Sequence, residues 1–323
     1  MIKTYIKKVG TGPSGHRDLS QEEARSAAEL ILRGEASPAQ TGALLLGLRL
    51  KGETAAEIGG FLSAIRGILA TRPPVLPDAL PEVDLDIGDP YDGRSRSTSH
   101  IVASALLASR TGLRIGLHGL SGVPVKMGPG VLEAWKSLGL PDGAPAISGN
   151  VACLSQEDFL PELSRLLPLR RELGLRTIWN TVEKAANPLS APAQIIGVFH
   201  EPVVEKIFTA LMAQESPPRR LLITQGVEGS TDLHPHRETV CHLFDMALSP
   251  ELRRLTIPAA PTEGNGLSHP DPSLGSNLDI GTHIHALRQA ALFLFAAGQQ
   301  ISFDRALALI ESVCSHPSPG RLS

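Results

Sequence analysis

Residues 83–138 contain the pattern that most constrains the fold, because strand-like and helix-like segments alternate there with glycine-rich loops. Residues 83–87 (VDLDI) and 113–117 (LRIGL) are predicted strands. Helices are predicted over residues 100–110, with Ser99 as N-cap, and over residues 131–138. This alternation is typical of a parallel sheet. It predicts that the loops 88–99 and 118–130 leave strand C-termini and line one crevice.

Both loops are rich in glycine and hydroxyl side chains next to helix N-termini, a composition that suits a phosphate group. Neither loop is a Walker A sequence, and neither contains a G-x-G-x-x-G motif. A phosphate-bearing ligand is therefore one interpretation. Ordinary tight turns between packed elements are the other.

The first 70 residues predict a small helical module. Ser20 with Glu23 and Thr54 with Glu57 form capping boxes, and a helix from Ser37 to Gly52 is apolar nearly all round. Both faces of that helix are expected to be covered, one of them by a second subunit. Prolines then predict an extended hinge over residues 73–82. The expected division is a helical dimerisation domain (1–72), this hinge and an α/β domain (83–323), with part of 155–190 packing against the helical domain.

The remaining chain completes an α/β fold class: a small N-terminal helical domain plus a larger α/β domain whose central, mostly parallel sheet is flanked by helices. One or two helices are predicted over residues 155–174, and another over 203–213. Strands are predicted over 194–199 and 220–224, with an outer strand over 254–257. Helices from about 276 to 297 and from 302 to 313 close the chain.

Composition restricts the class of protein. The 323 residues carry a net charge of −3, which gives no global attraction to nucleic acid but is compatible with a local basic patch. No apolar run approaches the ~18 residues of a membrane span, and the N-terminus lacks the apolar region of a signal peptide. Three scattered cysteines without a C-x-x-C pair are typical of a reducing compartment. A cytoplasmic protein is expected.

Few side chains suggest chemistry by themselves. Arg176 precedes a helix-like stretch and is predicted to reach an anionic ligand. Glu228 and Asp232 follow a predicted strand, where they either meet a cation or are loop acids in water. The pairs His234/His236 and His283/His285 lack a third ligand for zinc. No G-x-S-x-G elbow is present, and the catalytic residues stay unassigned.

Several motifs together resemble the anthranilate phosphoribosyltransferase group, glycosyltransferase family 3. The family's glycine-rich G-T-G-G-D-G loop matches residues 88–93 (GDPYDG), and its K-H-G-N-R loop matches 117–121 (LHGLS), with a later lysine kept as Lys126. Its R-T-I-F-N segment matches 176–180 (RTIWN). The helical start and residues 194–199 (QIIGVF) also fit, so the resemblance covers nearly the whole chain.

The resemblance implies a homodimer that transfers 5-phosphoribosyl from 5-phosphoribosyl 1-diphosphate to an acceptor, with Mg²⁺ as cofactor. It implies diphosphate binding by Gly88, Asp92, Gly93, Ser97, Thr98, Ser99 and Lys126. It further implies acceptor binding by His118, Gly119, Arg176 and Asn180, and Mg²⁺ binding by Asp232 with Glu228.

The motifs also depart from the family pattern. Asp89-Pro90-Tyr91 replaces Thr-Gly-Gly, so one amide is lost and the Tyr91 side chain is expected to crowd the diphosphate site. Leucines replace the lysine and asparagine of the second loop, and Thr231-Asp232 replaces the Asp-Glu pair. We therefore expect an aromatic or nitrogenous acceptor other than anthranilate, and whether the chain is an active enzyme stays open.

The start of the chain and residues 226–232 (GVEGSTD) resemble a divergent branch of the family whose members are nucleic-acid-binding dimers without transferase activity. The alternative hypothesis is therefore a homodimer that binds DNA or RNA. Its basic patch would be formed by Lys3, Lys7, Lys8, Arg17, Arg165, Arg170 and Arg171.

Overall fold

The computed structural model describes residues 1–12, 14–260 and 284–315. Four helices open the chain: α1 (Ile2–Gly10), α2 (Gln21–Leu32), α3 (Pro38–Lys51) and α4 (Ala55–Thr71). The two predicted capping boxes form at Ser20 and Thr54, and Ser37 forms a third with Gln40. Helix α1 was not predicted, because its apolar contacts are few: only Ile2 and Val9 are buried.

Helix α3 buries one face and exposes the other. Leu44, Leu45 and Leu48 are fully buried in the helical domain, whereas Leu46 and Leu50 are 40% and 78% exposed. Both faces of this helix were expected to be covered. The single chain covers one face and leaves the face with Leu46 and Leu50 exposed.

An eight-stranded sheet forms the centre of the α/β domain. Its strands are β1 (Leu85–Gly88), β2 (Ile115–Gly119), β3 (Ala146–Ser148), β4 (Val151–Ser155), β5 (Ala193–Gly197), β6 (Arg220–Thr224), β7 (Thr239–Asp245) and β8 (Ser249–Ile257). They lie in the order β3-β4-β2-β1-β5-β6-β7-β8. Strands β4, β2, β1, β5 and β6 are parallel, and β3, β7 and β8 are antiparallel additions. The predicted α/β class with a mostly parallel sheet is confirmed.

Strands β3, β4 and β7 were not predicted, and β8 is longer than the predicted outer strand. Strands β3 and β4 contain small residues rather than a β-branched run, and β7 interrupts its apolar residues with His242. Strand β8 starts five residues before the predicted outer strand, because it pairs with β7 along most of its length. Pairing with a neighbouring strand, which a local pattern does not contain, decides these cases.

The helices of this domain are α5 (Ile101–Ser109), α6 (Val131–Ser137), α7 (Gln156–Phe159), α8 (Pro161–Ser164), α9 (Leu167–Leu173), α10 (Trp179–Val182), α11 (Pro202–Met212), α12 (Ile284–Ala296) and α13 (Phe303–Ser315). The N-cap of α5 is His100, not Ser99, although the Ser99 hydroxyl accepts a bond from the Ile101 amide at 3.4 Å. Residues 155–174 form three short helices instead of one or two, because prolines stand at the start of α8 and α9. The predicted residues 276–283 of the penultimate helix lie outside the described residues.

The helical domain packs directly on the α/β domain. Phe61 of α4 and Trp179 of α10 are fully buried, and their ring centroids are 4.8 Å apart. One continuous apolar cluster joins α2, α3 and α4 to α10, α11 and one face of the sheet. A second cluster, from α5, α12 and α13, covers the other face. A cleft remains between the two domains at the carboxyl ends of the parallel strands. Among the described residues, no helix has the length and apolar character needed to cross a membrane.

Candidate functional site

The loops after β1 and β2 are locked together beneath the cleft. The Arg94 amide donates to the Pro129 carbonyl and the Gly128 amide donates to the Asp92 carbonyl, both at 3.1 Å. A Cβ on Gly128 would lie 1.6 Å from the Arg94 oxygen, and Gly93 has a φ of 70°. These glycines therefore allow two backbones to touch. Gly88 is similar, since a Cβ there would meet the Lys184 carbonyl oxygen at 2.1 Å.

Tyr91 lies in the wall of the cleft, but it is only 4% exposed and its hydroxyl is directed into the domain. Its hydroxyl lies 2.5 Å from His118 Nδ1, and His118 Nε2 lies 3.2 Å from Asp86 Oδ1. Gln194 Nε2 donates to the other Asp86 oxygen at 2.9 Å. Burial raises the pKa of Tyr91 well above its usual value, so the phenol that bonds Nδ1 is neutral. Tyr91 therefore does not crowd the loop as predicted.

This network removes His118 from the cleft surface. Its side chain is fully buried behind Tyr91, and it meets the edge of Phe159. Gly119 ends β2 and lies under Val131, whose Cγ1 would be 2.8 Å from an added Cβ. Neither residue of this predicted acceptor pair is therefore free to contact a ligand in the described conformation.

Asp92 and Arg176 pair at the cleft. Arg176 donates to Asp92 Oδ2 through Nη2 at 2.7 Å and through Nε at 3.1 Å. Lys126 Nζ lies 3.9 Å from the other oxygen of Asp92. Asn180 accepts a bond from the Thr177 amide at 3.0 Å and donates to the Pro124 carbonyl at 3.3 Å. The fold thus brings residues from the predicted diphosphate and acceptor sets to one place.

A carboxylate of the chain itself lies in the serine-rich part of the first loop. Glu228 accepts bonds from the Ser95 amide (3.1 Å), the Ser95 hydroxyl (3.0 Å), the Arg96 amide (2.9 Å) and the Ser97 hydroxyl (2.8 Å). Lys126 Nζ is 3.5 Å from the same carboxylate. Burial raises the pKa of Glu228, but these donors outweigh burial and lower it to about 2. Thr98, beside them, is exposed.

Arg94 lies between two buried carboxylates. Its Nη2 is 2.7 Å from Asp232 Oδ2 and 3.3 Å from Asp89 Oδ2, while Nη1 donates to the Val227 carbonyl at 3.0 Å. All three side chains are at most 8% exposed. Burial raises the pKa of Asp89 to about 6, against the opposing effect of Arg94. Arg94 was not predicted as a site residue from the sequence; the signal available was an arginine directly after Gly93, inside the glycine-rich loop.

The predicted Mg²⁺ ligands do not fit a metal. Asp232 is paired with the Arg94 guanidinium, and both oxygens of Glu228 accept bonds from loop donors. Across residues 1–12, 14–260 and 284–315, no group of three or more His, Cys, Asp or Glu side chains is arranged to hold a metal ion. The two acids that the sequence pointed to are already neutralised by the protein.

The cleft continues from this site toward the helical domain. Arg49 and Glu53 line one side, and Arg176, Lys184 and Phe199 line the other. Phe199 is 61% exposed. Lys184 donates to the Gly197 carbonyl at 2.6 Å, and burial lowers the pKa of Lys184 to about 8. The cleft therefore offers an aromatic ring and basic groups beside the loops.

The basic residues of the nucleic-acid hypothesis are not equivalent. Arg170 cannot contact a phosphate backbone, because it is 1% exposed and forms a two-bond pair with Glu183 at 2.8 and 2.9 Å. Lys8 pairs with Glu23. Arg165 donates to the Leu32 carbonyl, and Arg171 donates to the Gly122 carbonyl. Lys3, Lys7 and Arg17 are exposed.

Comparison with known proteins identifies the family. A model of a glycosyl transferase family's helical bundle domain matches residues 3–67, and a model of its α/β domain matches residues 97–258. An uncharacterized protein of Aquifex aeolicus is 32% identical over 96% of this chain and 98% of its own length. An anthranilate phosphoribosyltransferase of Halorubrum lacusprofundi is 34% identical over 79% of this chain and 68% of its own.

Among solved structures, the anthranilate phosphoribosyltransferase from Saccharomyces cerevisiae in complex with PRPP and Mg has the same fold. Its TM-score is 0.70 at 15% identity, over 97% of this chain and 93% of the yeast chain. The resemblance inferred from the sequence motifs is thus confirmed. The chain belongs to this glycosyl transferase family and is a phosphoribosyltransferase-like protein related to the anthranilate phosphoribosyltransferases.

Proposed function

We propose that this protein binds 5-phosphoribosyl 1-diphosphate and transfers its phosphoribosyl group to an aromatic or nitrogenous acceptor other than anthranilate. One observation carries the proposal: two amides and two hydroxyls of residues 95–97 converge on one carboxylate, beside Lys126. A loop that directs four donors at one anionic group is organised to bind an anion. Displacing Glu228 would present these donors to a diphosphate.

The neighbouring cleft supports the assignment of the acceptor class. Arg176 is held by Asp92 at the cleft, and its side chain is 34% exposed, so it can contact an acidic group. The exposed ring of Phe199 offers a stacking surface on the same cleft. Because His118 is buried behind Tyr91, the acceptor contacts implied for this histidine are missing, which argues against anthranilate itself.

The proposed reaction needs little dedicated chemistry from side chains. Transfer at an anomeric carbon passes through an oxocarbenium-like state, so the protein mainly positions the two substrates and stabilises the departing diphosphate. Lys126 and the donors of residues 95–97 would stabilise that leaving group. Arg176 would orient the acceptor.

Calorimetric titration with 5-phosphoribosyl 1-diphosphate tests the proposal. We expect a saturable heat for the wild type and at least a tenfold weaker affinity for the double variant Ser95→Ala/Ser97→Ala. Ser137→Ala is the control, because this serine bonds the Ala134 carbonyl on the exposed side of α6, away from residues 95–97. Absence of heat at about 1 mM ligand, in EDTA and in Mg²⁺, would refute the transferase proposal. Labelled oligonucleotides in a salt series would then be titrated, because steep salt dependence marks contacts to a nucleic-acid backbone.

We propose further that the protein is a homodimer through the exposed face of α3. Leu46 and Leu50 lie one helical turn apart and are exposed in the single chain. Leu46→Glu/Leu50→Glu is expected to halve the mass measured by light scattering. A wild type that is already monomeric would refute the dimer.

A further inference from the structure

Arg94 and its two carboxylates form a buried charge cluster beside the loops of the candidate site. The yeast enzyme was solved with PRPP and Mg, whereas here a guanidinium lies between Asp89 and Asp232. We infer that Arg94 is a built-in counter-cation, and that this site neither holds a divalent cation nor requires one to bind a phosphorylated ligand. The part of this inference that concerns the ligand depends on the proposed function, but the part that concerns the cation does not.

The Arg94 guanidinium is held in place from several sides. The Arg94 amide is bonded to the Pro129 carbonyl, and Gly128 packs against the Arg94 carbonyl so closely that no Cβ fits. The side chain is 3% exposed and donates to the Val227 carbonyl as well as to the two acids. Because guanidinium keeps its charge at every accessible pH, this cation cannot be removed by deprotonation. The arginine is therefore a fixed component of the site.

Each of the three acids Asp232, Asp92 and Glu228 already lies next to a positively charged side chain. Asp232 has Arg94 at 2.7 Å, Asp92 has Arg176 at 2.7 Å, and Glu228 has Lys126 at 3.5 Å. A divalent cation prefers several carboxylate or carbonyl oxygens at 2.0–2.6 Å, and it would have to displace one of these positive groups. Electrostatic repulsion opposes this displacement, because the Arg94 guanidinium occupies the position between Asp89 and Asp232 that a divalent cation would need.

Removing the positive charge of Arg94 is expected to create a metal site. In Arg94→Gln, Asp89 and Asp232 lose their counter-charge and are left side by side in a buried pocket. Two carboxylates in that arrangement attract a divalent cation. In Arg94→Lys the positive charge stays, so no metal site is expected.

Titration of the full-length protein with Mn²⁺ alone tests the inference without any substrate. Binding is measured as the loss of the electron paramagnetic resonance signal of the free ion. The wild type and Arg94→Lys are expected to bind no Mn²⁺ below about 10 mM, and Arg94→Gln to bind one ion at least tenfold more tightly. The control is Arg114→Gln, since Arg114 also pairs with two acids, Asp84 and Glu82, away from the cleft. Arg114→Gln is expected to behave as the wild type.

The wild-type measurement decides the matter even if Arg94→Gln fails to fold. A wild type that binds one Mn²⁺ below about 10 mM, and loses it in Asp232→Asn, would overturn the inference. Equal Mn²⁺ binding by Arg94→Gln and Arg114→Gln would overturn the claim for this particular site.

The ligand is tested separately. The affinity of the wild type for 5-phosphoribosyl 1-diphosphate is expected to agree within about twofold in EDTA and in Mg²⁺. An affinity that rises at least tenfold with Mg²⁺ would refute metal independence. Absence of binding in both conditions would refute the proposed function. The Mn²⁺ titration would still test the inference about the cation, because it uses no phosphorylated ligand.

Discussion

Replacing Glu228 with glutamine is expected to make the donors of residues 95–97 available to the anion that we propose they bind. The glutamate now accepts bonds from two amides and two hydroxyls, so an incoming diphosphate has to displace it. Glutamine has nearly the same shape but no charge. The substitution therefore removes the internal competitor while keeping the loop packed.

The expected magnitude follows from these four bonds. A hydrogen bond to a charged group contributes about 1.5–3 kcal/mol and one between neutral groups about 0.5–1.5 kcal/mol, so the two bonds kept by the glutamine oxygen weaken by about 1 kcal/mol each. The two donors that face the glutamine NH2 lose their acceptor. Ser95 and Arg96 are exposed, and solvent screens their share of the effect. A net preference of about 1–2 kcal/mol for the closed loop remains.

A closed loop of that stability reduces the apparent affinity of a competing anion. Releasing about 1–2 kcal/mol corresponds to an affinity that is about 5–30-fold higher in Glu228→Gln than in the wild type. The assay is calorimetric titration with inorganic pyrophosphate, which probes the loop whatever the natural ligand is. Glu133→Gln is the control, because Glu133 accepts the Gly130 amide at 2.9 Å on a neighbouring loop.

The pH dependence provides a second check. Because the pKa of Glu228 is about 2 in the folded protein, its carboxylate is ionised throughout pH 5–8. Its contribution to stability is fully present above about pH 4.5 and is lost as the pH falls toward 2. The ratio of the wild-type and Glu228→Gln affinities should therefore be constant from pH 5 to 8. Equal or weaker pyrophosphate binding by Glu228→Gln would refute the reasoning.

Three further outcomes are expected in urea denaturation. Because the pKa of Asp89 is raised to about 6, the folded chain binds the Asp89 proton more tightly than the unfolded chain does. The contribution of Asp89 to stability therefore falls as the pH rises from about 4 to 6. Asp89→Asn should make the stability less dependent on pH in this range. Phe61→Ala should cost about 3–5 kcal/mol, since it removes a buried ring packed on Trp179. Arg170→Ala should cost about 3–5 kcal/mol by leaving Glu183 buried and unpaired, whereas Arg170→Met/Glu183→Leu should cost much less. The first expectation would be contradicted by a wild-type stability that does not change with pH from about 4 to 6. The second would be contradicted by a stability loss below about 1 kcal/mol in Phe61→Ala. The third would be contradicted by equal stability losses in Arg170→Ala and in the double variant.

Local sequence signals were sufficient where the structure depends on neighbouring residues along the chain. The capping boxes at Ser20 and Thr54 formed as predicted, because a cap bonds a backbone group three residues away. The alternation of residues 83–138 predicted a parallel sheet with two loops on one crevice, and residues of both loops meet there. The motifs in these loops also identified the family.

Contacts between distant residues decided the rest. Strand β4 exists because it pairs with β2, and Arg94 meets Asp232 across 138 positions of sequence. Tyr91 turns inward because His118, on the next strand, is a buried hydrogen-bond partner. A single sequence contains the residue types but not the distances between them, whereas burial, charge pairing and competition for donors depend on those distances. Family and sheet class were therefore determined by the sequence alone, while the bonding of Glu228 to residues 95–97 and the pairing of Arg94 with Asp89 and Asp232 were decided only by the tertiary structure.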